Sequence, residues 1–338
     1  MRRAATLFST LALAATGCML GTAHAAPAGT SAAAATGSHS TSVSAADQQA
    51  ALRFWTPERL RGAREMTAPA SRTTTATPAT AAPGAPVVVP PLAAPASAAA
   101  ASTPGVGTFA SSPTAWTGGG LISTTVGKVF FQRADGGTFA CSATVANSDN
   151  KSVVLTAGHC VVDAGTGEVY RNWVFIPGYA NGNRPFGTFT ATRLFNVAQY
   201  VSTGGNANWD FAFAALGQVN GRSVANTVGA EGIAFNSATG RHTHSFGYGG
   251  SDAEGNGERL NHCEGDEFPD AGRAGSTMWG IDCVQSGGSS GGGFLADFDT
   301  STGGGSLVGN ISVSAGSNEY HPTLGNEALD LYRQAGAA

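Results

Sequence analysis

Charge is scarce in this chain: Asp, Glu, Lys and Arg make up 12% of its 338 residues. What charge there is divides unevenly. Residues 1–117 hold seven Arg against three acids, a net of +4, and residues 118–338 hold eleven Lys plus Arg against nineteen acids, a net of −8; the two sum to −4. A body of that sign gives no reason to expect nucleic acid as a partner, since such binding depends on neutralising phosphates. Cysteine is sparse too, five in all, and no two form a Cys-x-x-Cys pair. The usual thiolate frameworks for zinc are therefore missing. His242-Thr-His244 would set two imidazoles on one strand face, yet no third ligand lies near them in the sequence, and neither a metal nor a cofactor is expected. The N-terminal apolar run from Leu7 to Leu20 is softened by Ser, Thr and Gly and falls short of the ~20 residues a membrane helix needs. Arg2 and Arg3 precede it and Ala23-His24-Ala25 follows, so residues 1–25 read as a secretory signal peptide. The rest of the chain is expected in the extracellular space, without stable membrane association. Cys18 lacks a leucine three residues before it, where Ala15 stands, and no lipid attachment is expected there.

Ala, Thr, Ser and Pro dominate residues 26–117. Such a stretch cannot bury enough apolar area to offset its ordering entropy and is expected to be mostly disordered. One island departs from it. Ser44-Ala-Ala-Asp47 is a capping-box-like start and Thr56-Pro57 a second N-cap with proline at the first helical position, so one or two short helices are predicted between Ala45 and Met66. Arg53, Arg59, Arg61 and Arg64 cluster there beside Phe54, Trp55 and Leu60. The predicted docking onto the acidic remainder is by complementary charge and, more strongly, by the aromatic anchor.

After about residue 118 the texture changes to Gly-rich turns between short Val, Phe, Ile and Thr runs, which predicts an all-β body of barrels or sandwiches. No repeat of fixed spacing and no long 3.6-residue period appears until Asn326 to Ala335, where Leu329 and Tyr332 share a face and Asn326 is a plausible N-cap; one C-terminal helix is predicted. Four cysteines, Cys141, Cys160, Cys263 and Cys283, fall in this body, and in an oxidising compartment three pairings are open to them. The local pairs, Cys141 with Cys160 and Cys263 with Cys283, are preferred because Thr138–Val145 and Ser152–Leu155 should pair as a hairpin. Closing a loop of about 20 residues contributes roughly 3 kcal/mol in the chain-entropy picture.

The chemistry-bearing residues stand in three blocks. Ser152-Val-Val-Leu-Thr-Ala-Gly-His159-Cys160 delivers an imidazole to the end of a buried strand, where it can serve as a general base. Asn208-Trp209-Asp210-Phe-Ala-Phe-Ala puts a carboxylate at the start of an alternating strand. Gly287-Gly288-Ser289-Ser290-Gly291-Gly292-Gly293 frees a serine in a tight turn, with Phe294-Leu295 opening a strand directly after it. Taken singly, each has a bland reading: a structural histidine, a turn aspartate, a flexible Gly/Ser loop. Together, Ser290, His159 and Asp210 supply the hydroxyl, base and orienting carboxylate of serine acyl transfer. The Gly-x-Ser-x-Gly spacing also fits the nucleophile elbow of esterases, although His321 is the sole histidine after Ser290 and no strand–helix alternation precedes it. A non-catalytic β-barrel binding protein is the third reading; its expected mark, a lost triad member, is absent.

In order, these blocks resemble the catalytic motifs of the chymotrypsin-like serine peptidases, and residues 118–338 resemble the secreted bacterial, trypsin-like and glutamyl-endopeptidase-like branch. The resemblance implies two antiparallel β-barrels, residues 118–218 and 219–338, with His159 and Asp210 from the first and Ser290 from the second. It implies a monomeric serine endopeptidase acting on polypeptides through an acyl-enzyme, with the amides of Gly288 and Ser290 as the oxyanion hole. By position it sets Val284 and Ser312 at the primary substrate pocket, and without a carboxylate at Val284 a neutral preference is expected, unless Glu264, Asp266, Glu267 and Asp270 line the pocket. Trp55-Thr-Pro-Glu-Arg59 resembles segments in the pro-regions of that branch, so residues 26–117 are expected to be a pro-region that inhibits or assists folding, a passive stalk being the alternative. One departure stands out: the residue before the nucleophile, commonly Asp in the animal enzymes, is Ser289, which rules out activation through a buried ion pair with a freed amine.

Overall fold

In the computed structural model, six antiparallel strands close into a barrel in the order Val126–Gln132, Thr138–Ala146, Val153–Thr156, Ala212–Leu216, Phe189–Val197 and Arg171–Pro177, the last pairing back to the first. The structure describes Met1 and residues 37–68, 84–99 and 111–338, and all but Met1 belong to one unit, Ala34–Ala338. Successive side chains of a strand point to opposite faces, and here both faces are covered. Val154, Val129, Phe131, Phe175, Phe189 and Ala214 join one core, while Val153, Leu155, Phe130, Val174, Phe195 and Phe213 join a second, shared with the other half of the chain. That two-sided burial is why the run before His159 is continuously apolar rather than alternating.

The other half is built of two sheets. One orders Val87–Val89, Gly232–Phe235, Gly304–Asn310, Gly293–Asp299, His242–Gly247, Asn261–Asp266 and Thr114–Ala115; the other orders Phe268–Pro269, Trp279–Ile281, Asn318–His321 and Val313–Ala315. The C-terminal helix Asn326–Gly336 buries Ala328, Leu329, Leu331, Tyr332 and Ala335 into the shared core. Its N-cap is Gly325 rather than Asn326, whose side chain instead accepts from Asn236 at 2.9 Å. Both disulfides are local, Cys141–Cys160 and Cys263–Cys283.

Within residues 26–117, expected to be mostly disordered, residues 37–68, 84–99 and 111–117 have a defined structure. Ser38–Ser42 adds antiparallel to the edge of Phe189–Val197, Arg64–Glu65 runs parallel to Thr138–Ala146, and Val87–Val89 pairs with Gly232–Phe235. A segment too poor to build its own core takes its backbone hydrogen bonds from sheet edges that need covering. Helices Ala45–Phe54 and Pro57–Arg61 form between the first two of these strands, capped by the Ser44 and Thr56 side chains. The signal-peptide reading and Cys18 lie outside the described residues.

Docking follows the aromatic anchor and not the arginines. Trp55 is 2% exposed, donates from Nε1 to Asn172 O at 2.6 Å and packs on Phe130. Arg59 turns back onto Phe54, Arg61 meets Glu58 within the same helix, and Arg64 lies over the Phe139 ring; among the described residues none of the four arginines pairs with an acid of the body. The ion pair that does cross has the opposite polarity, Glu65 accepting from the buried Lys128 Nζ at 2.8 Å. Burial pushes the Glu65 carboxyl up from its ordinary value, and Lys128 offsets only part of that.

Candidate active site

His159 enters the site on a short 3-10 turn, Gly158–Cys160, that follows the buried strand Val153–Thr156. Cys160 is tied to Cys141 on the neighbouring strand, and Trp173 Nε1 donates to Cys160 O at 3.0 Å, so the turn is held from two sides. Space at Gly158 is tight: a Cβ there would lie 3.1 Å from Asp210 Oδ1 and 3.2 Å from the Tyr200 ring. Asp210 Oδ1 accepts from the His159 backbone N–H and Oδ2 from its Nδ1, each at 2.8 Å. Ser312 Oγ adds a third bond, to Oδ2, at 2.5 Å. Burial alone would raise the Asp210 carboxyl, but the His159 charge and the hydrogen bonds from His159 and Ser312 outweigh it and hold the group below its usual value. A carboxylate on Nδ1 fixes the imidazole with Nε2 as the free position. That Nε2 is buried and has no hydrogen-bond partner among the described residues.

Ser290 lies in the turn before the strand Gly293–Asp299, flanked by Gly288 and Gly291 at φ +95° and +87°, conformations open to glycine. Both halves fasten this turn. Ser142 N–H donates to Ser290 O at 2.8 Å and Ser142 Oγ to Gly288 O at 2.9 Å, while Gly291 N–H donates to Ile311 O at 2.7 Å. The fold therefore sets the Ser290 turn beside the turn that carries His159, with Cys160 Sγ 3.7 Å from Ser290 O. Ser289 is spent locally, its hydroxyl donating to Ser286 O at 2.7 Å. Cys141 and Cys160 lie beside His159, but as a disulfide they offer no thiolate to a metal.

A cavity of about 300 Å³ opens at Ser290, lined among others by Arg273, Gln285, Ser286, Ser312, Glu319 and, from the N-terminal segment, Thr67. Ser312 is there as expected; Val284 is not among the lining residues, whereas its neighbours Gln285 and Ser286 are. Glu264, Asp266, Glu267 and Asp270 also stay out of the lining, Asp270 being engaged with Arg273 Nε at 2.5 Å. Arg273 lies over the Tyr320 ring, and its Nη2 is buried without a hydrogen-bond partner. Sequence reading missed this guanidinium, which stands far from any motif. Glu319 is fully buried and pushed up to about 7 by burial, with its oxygens accepting from Ser245 Oγ and Gln285 N–H.

The two expected oxyanion donors differ in state. Gly288 N–H already donates to Met66 O at 2.8 Å, whereas Ser290 N–H has no acceptor among the described residues. The N-terminal segment thus reaches the centre of the site, with the Glu65 carboxylate against Gly288.

The esterase alternative requires a strand–helix alternation that this antiparallel barrel does not have. No protein-family model matches the chain. The curated glutamyl endopeptidase of Bacillus licheniformis is 31% identical over 86 residues, and the match spans 25% of each chain. Among solved structures, the protease Anisep from Arthrobacter nicotinovorans is 34% identical with a TM-score of 0.61, over 67% of this chain and 100% of Anisep. The thermostable serine protease AL20 from an extremophilic microorganism is also 34% identical, with a TM-score of 0.60, over 64% of this chain and 99% of AL20. A Glu endopeptidase at 18% identity and a TM-score of 0.53 shares the fold. With identity at this level over the full length of two solved relatives, the chain belongs to the bacterial serine proteases of chymotrypsin-like fold.

Proposed function

We propose that this protein is a secreted serine endopeptidase whose catalytic residues are Ser290, His159 and Asp210, described here with its own N-terminal segment across the site. One observation carries the reading: an imidazole held by a buried carboxylate through Nδ1, with Nε2 unpartnered, next in the chain to Cys160, whose Sγ lies 3.7 Å from the carbonyl of a serine at a glycine-flanked turn. In the reaction, Ser290 Oγ attacks the scissile carbonyl and passes its proton to His159 Nε2. The C–N bond then breaks, the amine leaves with that proton, and an acyl-enzyme remains on Ser290. Water, deprotonated by the same Nε2, releases the acid and restores the hydroxyl. Asp210 stays ionised and stabilises the imidazolium. Gly288 and Ser290 N–H groups receive the developing oxyanion, each worth about 3 kcal/mol in the transition state.

Substrate cannot use Gly288 N–H while Met66 O occupies it, so residues 37–68 act as an inhibitory pro-segment that leaves on activation. This favours a pro-region over a passive stalk. The unpartnered Nη2 of Arg273 supports an acidic side chain before the cut in place of the neutral preference expected from Val284, in keeping with the glutamyl endopeptidase relative. The test is labelling with a fluorophosphonate, before and after proteolytic release of the segment. Modification of Ser290 only after release, lost in His159→Ala, is the expected result. Labelling at another residue, or unchanged labelling in Ser290→Ala, would sink the assignment.

A further inference from the structure

The hairpin of His242–Gly247 and Asn261–Asp266 carries a second group of ligating side chains, none of them in the lining of the Ser290 cavity. Its register pairs His242 with Asp266, His244 with Glu264 and Phe246 with His262. Opposed residues of an antiparallel ladder share a face, as do residues two apart. One face therefore gathers three imidazoles and two carboxylates. The sequence left His242 and His244 without a third ligand; the hairpin partner supplies it.

The distances are those of a coordination shell. His244 Nδ1 lies 3.0 Å from Glu264 Oε2 and 3.0 Å from His262 Nε2, and Glu264 Oε2 lies 3.7 Å from His262 Nε2 and 3.9 Å from His242 Nε2. Four ligands at ~2.0–2.1 Å around a tetrahedral ion stand about 3.4 Å from one another, a value the observed separations bracket. The ligand atoms of His242, His244 and Glu264 all fall within 4.8 Å of one another. Hydrogen bonding accounts for this poorly, because His244 Nδ1 has two neighbours at 3.0 Å and carries at most one proton. A cation among the three atoms would take one lone pair from each.

The surroundings suit such an ion. His242 Nδ1 is 2.8 Å from Asp266 Oδ1 while its Nε2 faces Glu264, the carboxylate–histidine arrangement that orients a metal ligand. Phe298 packs on His244 and Trp116 on His262, which closes the inner side, while the His242 side chain is 43% exposed and leaves an entry.

We propose that this hairpin face binds one divalent ion of the zinc class, with His242 Nε2, His244 Nδ1 and Glu264 Oε2 as ligands and His262 Nε2 at the fourth corner. The ion cross-links two strands, one of which carries Cys263 into the disulfide-closed loop that contributes Arg273 to the cavity. It takes no part in bond cleavage. The test is titration of metal-stripped full-length protein with zinc chloride by calorimetry, and with cobalt(II) by visible absorption. One ion per chain, a tetrahedral-type cobalt spectrum and a rise in Tm on adding zinc are expected. His242→Ala, which alters an exposed side chain, and Glu264→Gln should each weaken binding at least tenfold. His159→Ala should bind as the unaltered protein does. Absence of saturable binding, binding indifferent to both hairpin variants, or binding lost in His159→Ala would each overturn the proposal.

Discussion

Trp55→Ala should open the active site without touching it. Trp55 is the largest apolar anchor of the N-terminal segment: 2% exposed, edge-on to Phe54, tilted on Phe130, and bonded through Nε1 to Asn172 O at 2.6 Å. Truncating a buried Trp to Ala typically costs about 3–5 kcal/mol, and each 1.36 kcal/mol is a factor of ten. Part of that loss falls on the docking equilibrium of residues 37–68, because the indole belongs to the segment and its partners to the barrel. If all of it does, the population with the segment undocked rises by roughly 10²- to 5 × 10³-fold. Fluorophosphonate labelling of Ser290 in uncleaved protein reads that population, provided opening and closing are fast relative to labelling. The expected result is an initial labelling rate raised by at least a hundredfold. Arg61→Ala is the matched control: its one described ion pair is with Glu58 at 3.5 Å in the same helix, both side chains largely exposed, and its rate should change less than twofold. Hydrogen exchange at Ser38–Ser42 reports undocking independently. If that strand exchanges faster in Trp55→Ala while Ser290 labels no faster, the segment does not block the site and the inhibitory reading fails.

Two further outcomes are expected. Arg273→Gln should lower kcat/KM for peptides with Asp or Glu before the cut by roughly 10- to 100-fold, the worth of one charge-assisted hydrogen bond. Neutral peptides should change little, and an unchanged ratio of acidic to neutral cleavage in a peptide panel would remove Arg273 from specificity. Glu231 is fully buried, accepts from Gly305 N–H at 2.9 Å and faces Thr125 Oγ1 at 2.8 Å, and burial pushes its carboxyl from 4.5 up to about 8. A folded pKa above the unfolded one means the native state holds the proton more tightly. Its stabilisation is complete below about pH 4.5 and is lost as pH rises toward about 8. Glu231→Gln should therefore gain in Tm relative to the unaltered protein across that window, whereas a pH-independent difference between the two melting curves would show Glu231 ionised throughout.

The three blocks of the candidate site stand out in the sequence because the proposed chemistry restricts residue types: a base at a strand end, a carboxylate opening the next strand, a serine between glycines. The disulfides were legible because both pairs are local. The two capped helices and the Trp55 anchor of the N-terminal segment were legible, but the strand before them was not, for a definite reason. Ser38–Ser42 has no buried side chain at all and docks by backbone ladder bonds to Phe189–Val197, and the ladder leaves no mark in composition. Charge misled in the same region, since the arginines turn back onto their own helices or lie on an aromatic ring while Lys128 and Glu65 make the crossing pair. The His242–Glu264 cluster and Arg273 depend on hairpin register and on a disulfide-closed loop, and neither can be read from spacing along the chain.

Asp210 shows why the halves cannot be treated separately. Its carboxylate accepts from His159 of the first barrel and from Ser312 of the other half, and Asn310 Nδ2 donates to its carbonyl at 3.0 Å. Burial alone would raise the pKa of this group, and a neutral Asp210 would no longer stabilise the His159 imidazolium. Ser312, which also lines the cavity at Ser290, therefore helps to keep the carboxylate charged from across the interface. Gly291 N–H bonds to Ile311 O and Ser142 N–H to Ser290 O, so the turn bearing the serine is registered against the same two halves. Separating the halves would remove a donor from Asp210 and shift Ser290 in one movement, so the protonation state of the acid and the position of the serine report on the same interface.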